Sequence, residues 1–162
     1  MRWGVLGAAS IATRSVMPAI NGSEEDTLVA VASRSLETAQ AVAESFGISA
    51  CGSYEGLLER VDIDAVYIPL PNSLHFEWVC RALDAGKHVL VEKSAFVTIE
   101  EAEAAAALAR KKRLAIVENF QFQHHSQHRA VRRLMQEGAI GAVRTFRASF
   151  GFPPFGGSRN IR

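Results

Sequence analysis

The sequence lacks several features that would assign it to a specialised class of protein. Its 162 residues include two cysteines, too few for a disulfide framework and without the spacing of a metal site. Acidic and basic residues nearly cancel, at a net charge of +1, so we expect no nucleic-acid or anionic-lipid partner. No cleavable leader precedes the first apolar segment, and no apolar run approaches the ~20 residues of a membrane helix. These absences predict a soluble, cytoplasmic protein.

What the chain has instead is an alternation of short apolar segments with helix-like segments. Hydrophobic residues make up 48% of the chain, enough for a packed core. Strands are predicted at 2–6, 28–32, 50–52, 65–68, 88–92 and 114–117. Helices are predicted at 11–20 with Ser10 as its cap, at 35–46 closed by Gly47, after Ser53, at 74–85 from Ser73, from Thr98 to residue 112, and at 126–137. This order predicts an α/β fold with a Rossmann doubly wound parallel sheet.

Ligands on such sheets bind beyond the carboxyl ends of the strands, so the first loop to inspect follows strand one. Residues 7–12, GAASIA, fit the frame G-x-G-x-x-G/A of a dinucleotide phosphate loop. Gly7 provides the tight turn and Ala12 allows close helix packing, while Ala9 stands where a second glycine is usual. A merely tight turn between strand and helix is the alternative. The candidate cofactor-binding residues here are Gly7, Ala8, Ala9, Ser10 and Ile11.

After strand two, Ser33 and Arg34 occupy the place where an NAD site has an acidic residue. A guanidinium can pair with a 2′-phosphate and stack on adenine, whereas a carboxylate would repel the phosphate. The sequence therefore predicts NADP as the cofactor, with NAD as the alternative. A solvated arginine near a helix start is the competing interpretation of Arg34.

The loops after strands four and five carry further polar groups. Asn72 and His75 offer hydrogen-bonding groups at the expected cofactor crevice, although the loop could serve only to cap a helix. Glu92 and Lys93 end strand five, where the nicotinamide is expected. Lys93 could donate a proton to a substrate carbonyl as hydride arrives, and a simple surface ion pair is the alternative.

Three histidines lie near the start of the last predicted helix. His124 and His128 have the i, i+4 spacing of a metal pair, with His125 between them. No third ligand stands at a matching place, so we predict no metal site and interpret these residues as polar groups lining a crevice or facing water.

With these residues assembled, the chain resembles the glucose–fructose oxidoreductase, inositol dehydrogenase and rhizopine catabolism family of NAD(P)-dependent oxidoreductases. The matching stretches are WGVLGAASIA, VAVASRS, DAVYIPLPNSLHFEWVCRALDAGKHVLVEK and ENFQFQHHSQHRAVRRLM. The last of these is most similar to bacterial sugar-nucleotide ketoreductases. The resemblance implies a catalytic Lys93 and cofactor contacts from the loop 7–12, Ser33, Arg34, Leu70, Asn72, His75, Glu92 and Lys93.

The resemblance also implies that an antiparallel sheet domain follows the Rossmann domain. Residues 142–150 alternate apolar and polar with period two, as expected for the first strand of such a sheet. We therefore assign 1–122 to the dinucleotide-binding domain and 123–162 to the truncated beginning of an α+β substrate and oligomerisation domain. The aromatic residues of that segment would form an exposed apolar edge, namely Phe146, Phe150, Phe152 and Phe155.

Two departures from the family pattern stand out. Ser94 replaces a proline that commonly forms a cis bond, and a non-proline cis bond costs about 2.5–4 kcal/mol, so a different turn is expected. The sequence also ends before the glycine-rich stretch, aspartate and histidine that the family carries in its second domain.

The chain is thus expected to belong to an NADP(H)-dependent oxidoreductase of a sugar-like alcohol or ketone, a homo-oligomer at full length. The alternatives are a non-catalytic regulatory module that binds NAD(P), or a dehydrogenase of another substrate such as a dihydrodiol or a tetrapyrrole.

Overall fold

A computed structural model of the chain describes residues 1–149 and 151, which fall into two compact units, Met1–Asn119 and Phe120–Arg162. The first unit contains a six-stranded sheet. Its strands are β1 (Arg2–Leu6), β2 (Thr27–Ala32), β3 (Ser49–Cys51), β4 (Ala65–Ile68), β5 (His88–Val91) and β6 (Ile116–Glu118). All neighbouring strands are parallel, in the order β3-β2-β1-β4-β5-β6. This is the strand order of the Rossmann fold, so the predicted fold class is confirmed.

Helices connect the strands of the first unit. They are α1 (Met17–Asn21), which follows a π-helical turn at Ala12–Val16, then α2 (Leu36–Phe46), α3 (Tyr54–Leu58), α4 (Asn72–Asp84) and α5 (Ile99–Lys112). Along β4 and its neighbours, successive side chains point to opposite faces of the sheet. Val66 and Ile68 lie in one core cluster, whereas Tyr67 lies in the other. Because both faces are covered, these strands read as nearly continuous apolar runs.

Most of the predicted helix boundaries are confirmed by side-chain and backbone caps. The Ser35 hydroxyl accepts a hydrogen bond from the Thr38 N–H, and the Thr98 hydroxyl accepts one from the Glu101 N–H. Gly47 ends α2 at a φ of 66°. The predicted start of α4 at residue 74 is wrong, because the helix begins at Asn72, directly after Pro71.

The first helix also differs from its prediction. The Ala9 carbonyl accepts hydrogen bonds from the N–H groups of Ala12 and Thr13, so Ala9 caps the helix and Ser10 is its first residue, not its cap. The π-helical turn at Ala12–Val16 ends two residues before Pro18. A proline has no N–H, and its ring clashes with the carbonyl four residues earlier; a wider turn relieves that clash.

The described part of the second unit contains a 3₁₀ helix at Gln121–His124 and the helix α6 (Ser126–Gln136). The strand predicted at 142–150 is not confirmed, since residues 142–149 form no strand. A strand needs a neighbour for its backbone hydrogen bonds, and none of the second unit's described residues provides one. Phe146 is 82% exposed, whereas Phe150, Phe152 and Phe155 lie outside the described residues. Within the part of the chain that the structure describes, every helix is too short or too polar to cross a membrane.

Candidate functional site

The sheet brings the predicted site loops to one edge. Since all six strands are parallel, their carboxyl ends meet at the same side of the sheet. The chain continues from β1 toward β2 on one side and returns to β4 on the other, which creates a crevice between β1 and β4. The loops after β1, β2, β4 and β5 carry the predicted site residues and all open at this edge.

The loop after β1 has the properties of a phosphate-binding loop. Gly7 has a φ of 122°, and a Cβ at this position would lie 3.0 Å from Leu70 Cδ2, so the site requires glycine. Among the described residues, the N–H groups of Ala8 and Ala9 donate no hydrogen bond. These free donors, together with the helix that begins directly after them, form a site for an anion.

Arg34 occupies the start of the helix after β2. The neighbouring Ser35 caps α2, and the Arg34 side chain is exposed without an ion pair to any residue that the structure describes. Tyr54, at the start of α3, lies close by. Burial raises the pKa of the Tyr54 hydroxyl, while the charge and the backbone N–H of Arg34 act against that increase. A cation near the positive end of a helix dipole is electrostatically unfavourable by itself. A phosphate bound between them would be attracted by both.

The turn after β5 anchors Glu92 and leaves Lys93 at the surface. Glu92 is 6% exposed, and its Oε1 accepts hydrogen bonds of 2.7 Å from both the Tyr67 hydroxyl and the Asn119 amide. Lys93 is exposed, and the described residues contain no ion pair between it and Glu92, which argues against the surface-pair alternative. The Lys93–Ser94 peptide bond is cis, contrary to the expectation that Ser94 would change the turn.

The end of β6 supports this turn from the side. The Ala95 N–H donates to Glu118 Oε1 at 2.9 Å, and the Asn119 N–H donates to the Val91 carbonyl at 2.8 Å. Glu118, Asn119 and Tyr67 were not among the predicted site residues. The first two end and follow a strand, so the rule that directed attention to the other loops would also have found them. Tyr67 gives a weaker signal: it is the one residue in the segment AVYI with a polar atom in its side chain.

His75 is fully buried between the loops after β4 and β5. Its Nδ1 lies 2.9 Å from the Ser94 carbonyl oxygen, and its Nε2 lies 2.7 Å from the Leu70 carbonyl oxygen. Asn72, at the beginning of α4, is half-buried at the same edge. The individual cofactor contacts expected of Leu70, Asn72 and His75 stay predictions.

The histidines of the second unit do not share one helix face. His124 ends the 3₁₀ helix, and the backbone at His125 is extended, with a ψ of 139°. His128 therefore belongs to a separate helix, so the i, i+4 spacing of His124 and His128 does not place them on one helix face. His125 Nδ1 accepts from the Gln127 N–H, and the His128 ring packs on Phe122 at 5.5 Å. No group of three possible metal ligands occurs among the described residues.

The strand order defines a Rossmann-type dinucleotide-binding domain, and comparison with known proteins assigns the family. Residues 1–120 match the model of an oxidoreductase family with an NAD-binding Rossmann fold. The chain belongs to this glucose–fructose oxidoreductase, inositol dehydrogenase and rhizopine catabolism family.

Among its relatives are two proteins named dTDP-3,4-didehydro-2,6-dideoxy-alpha-D-glucose 3-reductase. The one from Streptomyces violaceoruber is 51% identical and the one from Actinomadura kijaniata 47% identical, each over 154 residues. Each alignment covers 95% of this chain but only 45% and 46% of the respective relatives. The chain thus spans less than half of their length.

A solved structure shows the same arrangement. The crystal structure of KijD10, a 3-ketoreductase from Actinomadura kijaniata in complex with NADP and TDP-benzene, superposes with a TM-score of 0.83 at 47% identity. The match covers 87% of this chain and 43% of that one.

Proposed function

We propose that this chain is the cofactor-binding part of an NADP(H)-dependent ketoreductase that acts on a nucleotide-linked keto sugar. The observation that carries the proposal is Arg34, a cation at the start of α2 that has no ion pair among the described residues and lies on the edge that also holds the phosphate loop. Relatives named as sugar-nucleotide 3-reductases support the substrate class, and the NADP found with KijD10 supports the cofactor.

The donor set of the site fits this cofactor. The free N–H groups of Ala8 and Ala9 and the start of the first helix would hold the pyrophosphate, next to Gly7. Ser33 and Arg34 would hold the 2′-phosphate. These groups are N–H, hydroxyl and guanidinium donors, as phosphate oxygens require.

The chemistry divides between the cofactor and Lys93. When bound, NADPH supplies a hydride to the carbonyl carbon of the substrate. The exposed Lys93 ammonium hydrogen-bonds the carbonyl oxygen and donates a proton from Nζ as negative charge develops there. Glu92 is held by hydrogen bonds from Tyr67 and Asn119, and this fixes the backbone from which the Lys93 side chain extends.

A titration of the chain with NADPH and with NADH tests the cofactor assignment. We expect Arg34→Ala to weaken NADPH binding about 10- to 100-fold, the value of one or two hydrogen bonds to a charged group, and to leave NADH binding unchanged. Arg110→Ala, at the far end of α5, removes an exposed arginine as a control and should change neither affinity. Equal losses for NADPH and NADH in Arg34→Ala would contradict the role of Arg34.

A test of the proposed substrate class requires the full-length gene product. We expect it to oxidise NADPH in the presence of a dTDP-linked 3-keto sugar, measured as the decrease of NADPH absorbance. Binding of NADPH without turnover of any keto sugar would favour the regulatory alternative.

A further inference from the structure

One buried side chain joins the two loops that carry the cofactor site. His75 lies on α4, is 0% exposed, and reaches the carbonyl of Ser94 with one ring nitrogen and that of Leu70 with the other. We propose that His75 is a positioning residue, which fixes the Lys93–Ser94 turn relative to the loop after β4. This inference rests on the proposed function, because it assumes that Lys93 acts at the nicotinamide.

The hydrogen bonds indicate how the ring is held. A carbonyl oxygen only accepts, so a ring nitrogen that carries a proton donates to the carbonyl it faces. A proton on Nδ1 makes the hydrogen bond to the Ser94 carbonyl at 2.9 Å, and this is the bond that holds the turn. The Leu70 carbonyl lies 2.7 Å from the other nitrogen.

The other supports of the turn come from the sheet. Glu118 holds the Ala95 N–H from β6, and the Glu92 carboxylate is held by Tyr67 and Asn119. His75 supports the carbonyl of Ser94 from the helix α4. Removing His75 therefore releases one side of the turn and leaves the sheet side in place.

The second contact of His75 extends toward the phosphate loop. Leu70, whose carbonyl faces Nε2, packs its side chain directly against Gly7. Through Leu70 and Ser94, His75 connects the part of the site expected to hold the pyrophosphate with the part expected to hold the nicotinamide. We therefore infer that it sets the position of Lys93 along the cofactor, without contributing to cofactor affinity.

Three substitutions separate the two contacts. In His75→Asn, the amide nitrogen takes the place of Nδ1 and can still donate to Ser94. In His75→Gln, the amide nitrogen takes the place of Nε2 and can still donate to Leu70. His75→Phe keeps the ring volume but makes neither bond. Val79→Ala, a fully buried position one turn further along α4, controls for a general loss of stability.

The readouts distinguish positioning from folding. In the full-length gene product we expect kcat to fall by about tenfold or more in His75→Phe and His75→Gln, with NADPH affinity within about twofold of the wild type. His75→Asn should recover most of kcat. The emission of bound NADPH, which reports the nicotinamide environment, should change in the same order, while Val79→Ala should leave both readouts unchanged.

Several outcomes would overturn the inference. If His75→Phe binds NADPH with unchanged emission and kcat, His75 does not position the turn. If Val79→Ala lowers kcat as much as His75→Phe, the effect is one of general stability. Should His75→Phe fail to fold, nitrogen NMR of the wild type decides: a proton on Nδ1 is expected, and a ring without a proton on Nδ1 contradicts the proposal. Failure of the wild type to bind NADPH would instead overturn the proposed function itself.

Discussion

At the scale of single residues, Glu92 and Lys93 are neighbours in very different surroundings. The Glu92 carboxylate is buried and hydrogen-bonded, whereas the Lys93 side chain is exposed at the same edge. We expect Lys93→Ala to lower the kcat of the full-length gene product by about 10²- to 10⁴-fold, because the substrate oxygen loses its proton donor. NADPH affinity should stay unchanged. Lys111→Ala, an exposed lysine on α5, serves as control, and unchanged turnover in Lys93→Ala would remove Lys93 from its role.

Gly7 provides a second test at this scale, because both its backbone and its surroundings exclude a side chain. Gly7→Ala should destabilise the fold by about 1–3 kcal/mol and weaken NADPH binding about tenfold, since the new methyl pushes Leu70 away and distorts the loop. Gly47 also has a positive φ, but a Cβ there meets nothing within 4 Å. Gly47→Ala should therefore lower stability in chemical denaturation without any change in NADPH titration. Equal NADPH affinities in the two variants would contradict the assignment of the phosphate loop.

At the scale of elements, an ion pair joins the beginnings of β1 and β4. Arg2 contacts Asp64 with Nη2 at 2.7 Å, with Nε at 3.1 Å and with its backbone N–H at 2.9 Å. The Arg2 side chain, and then its backbone N–H, hold the pKa of the Asp64 carboxyl well below its usual range. The folded state therefore favours the charged carboxylate, and the stability it contributes is present above the ordinary pKa of 3.8 and lost as the pH falls below it.

This linkage predicts a difference in acid sensitivity. Asp64→Asn should be less stable than the wild type at neutral pH and should lose less of its remaining stability below about pH 4. Urea denaturation at several pH values measures the stability at neutral pH and its decrease in acid. As a control, Glu59→Gln removes another surface carboxylate and should lose stability below about pH 4 as steeply as the wild type does. If the unfolding free energies of the wild type and Asp64→Asn fall equally with pH, the Arg2–Asp64 pair does not contribute to acid sensitivity.

The elements themselves could largely be predicted from the sequence, because their signals are local. Apolar runs, Ser35, Thr98 and Gly47 mark strands and helix ends through contacts within a few residues. The start of α4 and the π-helical turn before Pro18 were missed, since both depend on how a proline is accommodated. The strand-end rule could have pointed to Asn119 as a candidate, but its contact with Glu92, like that of Tyr67, could not be predicted from spacing. Both contacts form only after three strands have paired. The period-two pattern at 142–150 indicates a strand only where a neighbouring strand exists.

At the scale of the whole molecule, the complete sheet belongs to the first unit. We expect a chain ending at residue 120 to fold cooperatively and to bind NADPH within about twofold of the affinity of the 162-residue chain, because every proposed cofactor contact precedes that position. Circular dichroism and NADPH titration measure both properties. Loss of binding in the shortened chain would show that the second unit contributes to the cofactor site. Self-association of the full-length gene product stays a prediction, which sizing chromatography can test.

The strand order also has a consequence for how the chain folds during synthesis. β1 leaves the ribosome before the other five strands of the sheet but lies inside it, where Trp3 pairs with Leu28 on one side and with Ala65 on the other. At synthesis rates of about 5–20 residues per second, one edge of β1 stays without its neighbour for roughly 3–12 s. Nascent chains of this domain should therefore bind chaperones most strongly after β2 has emerged and before β4 has.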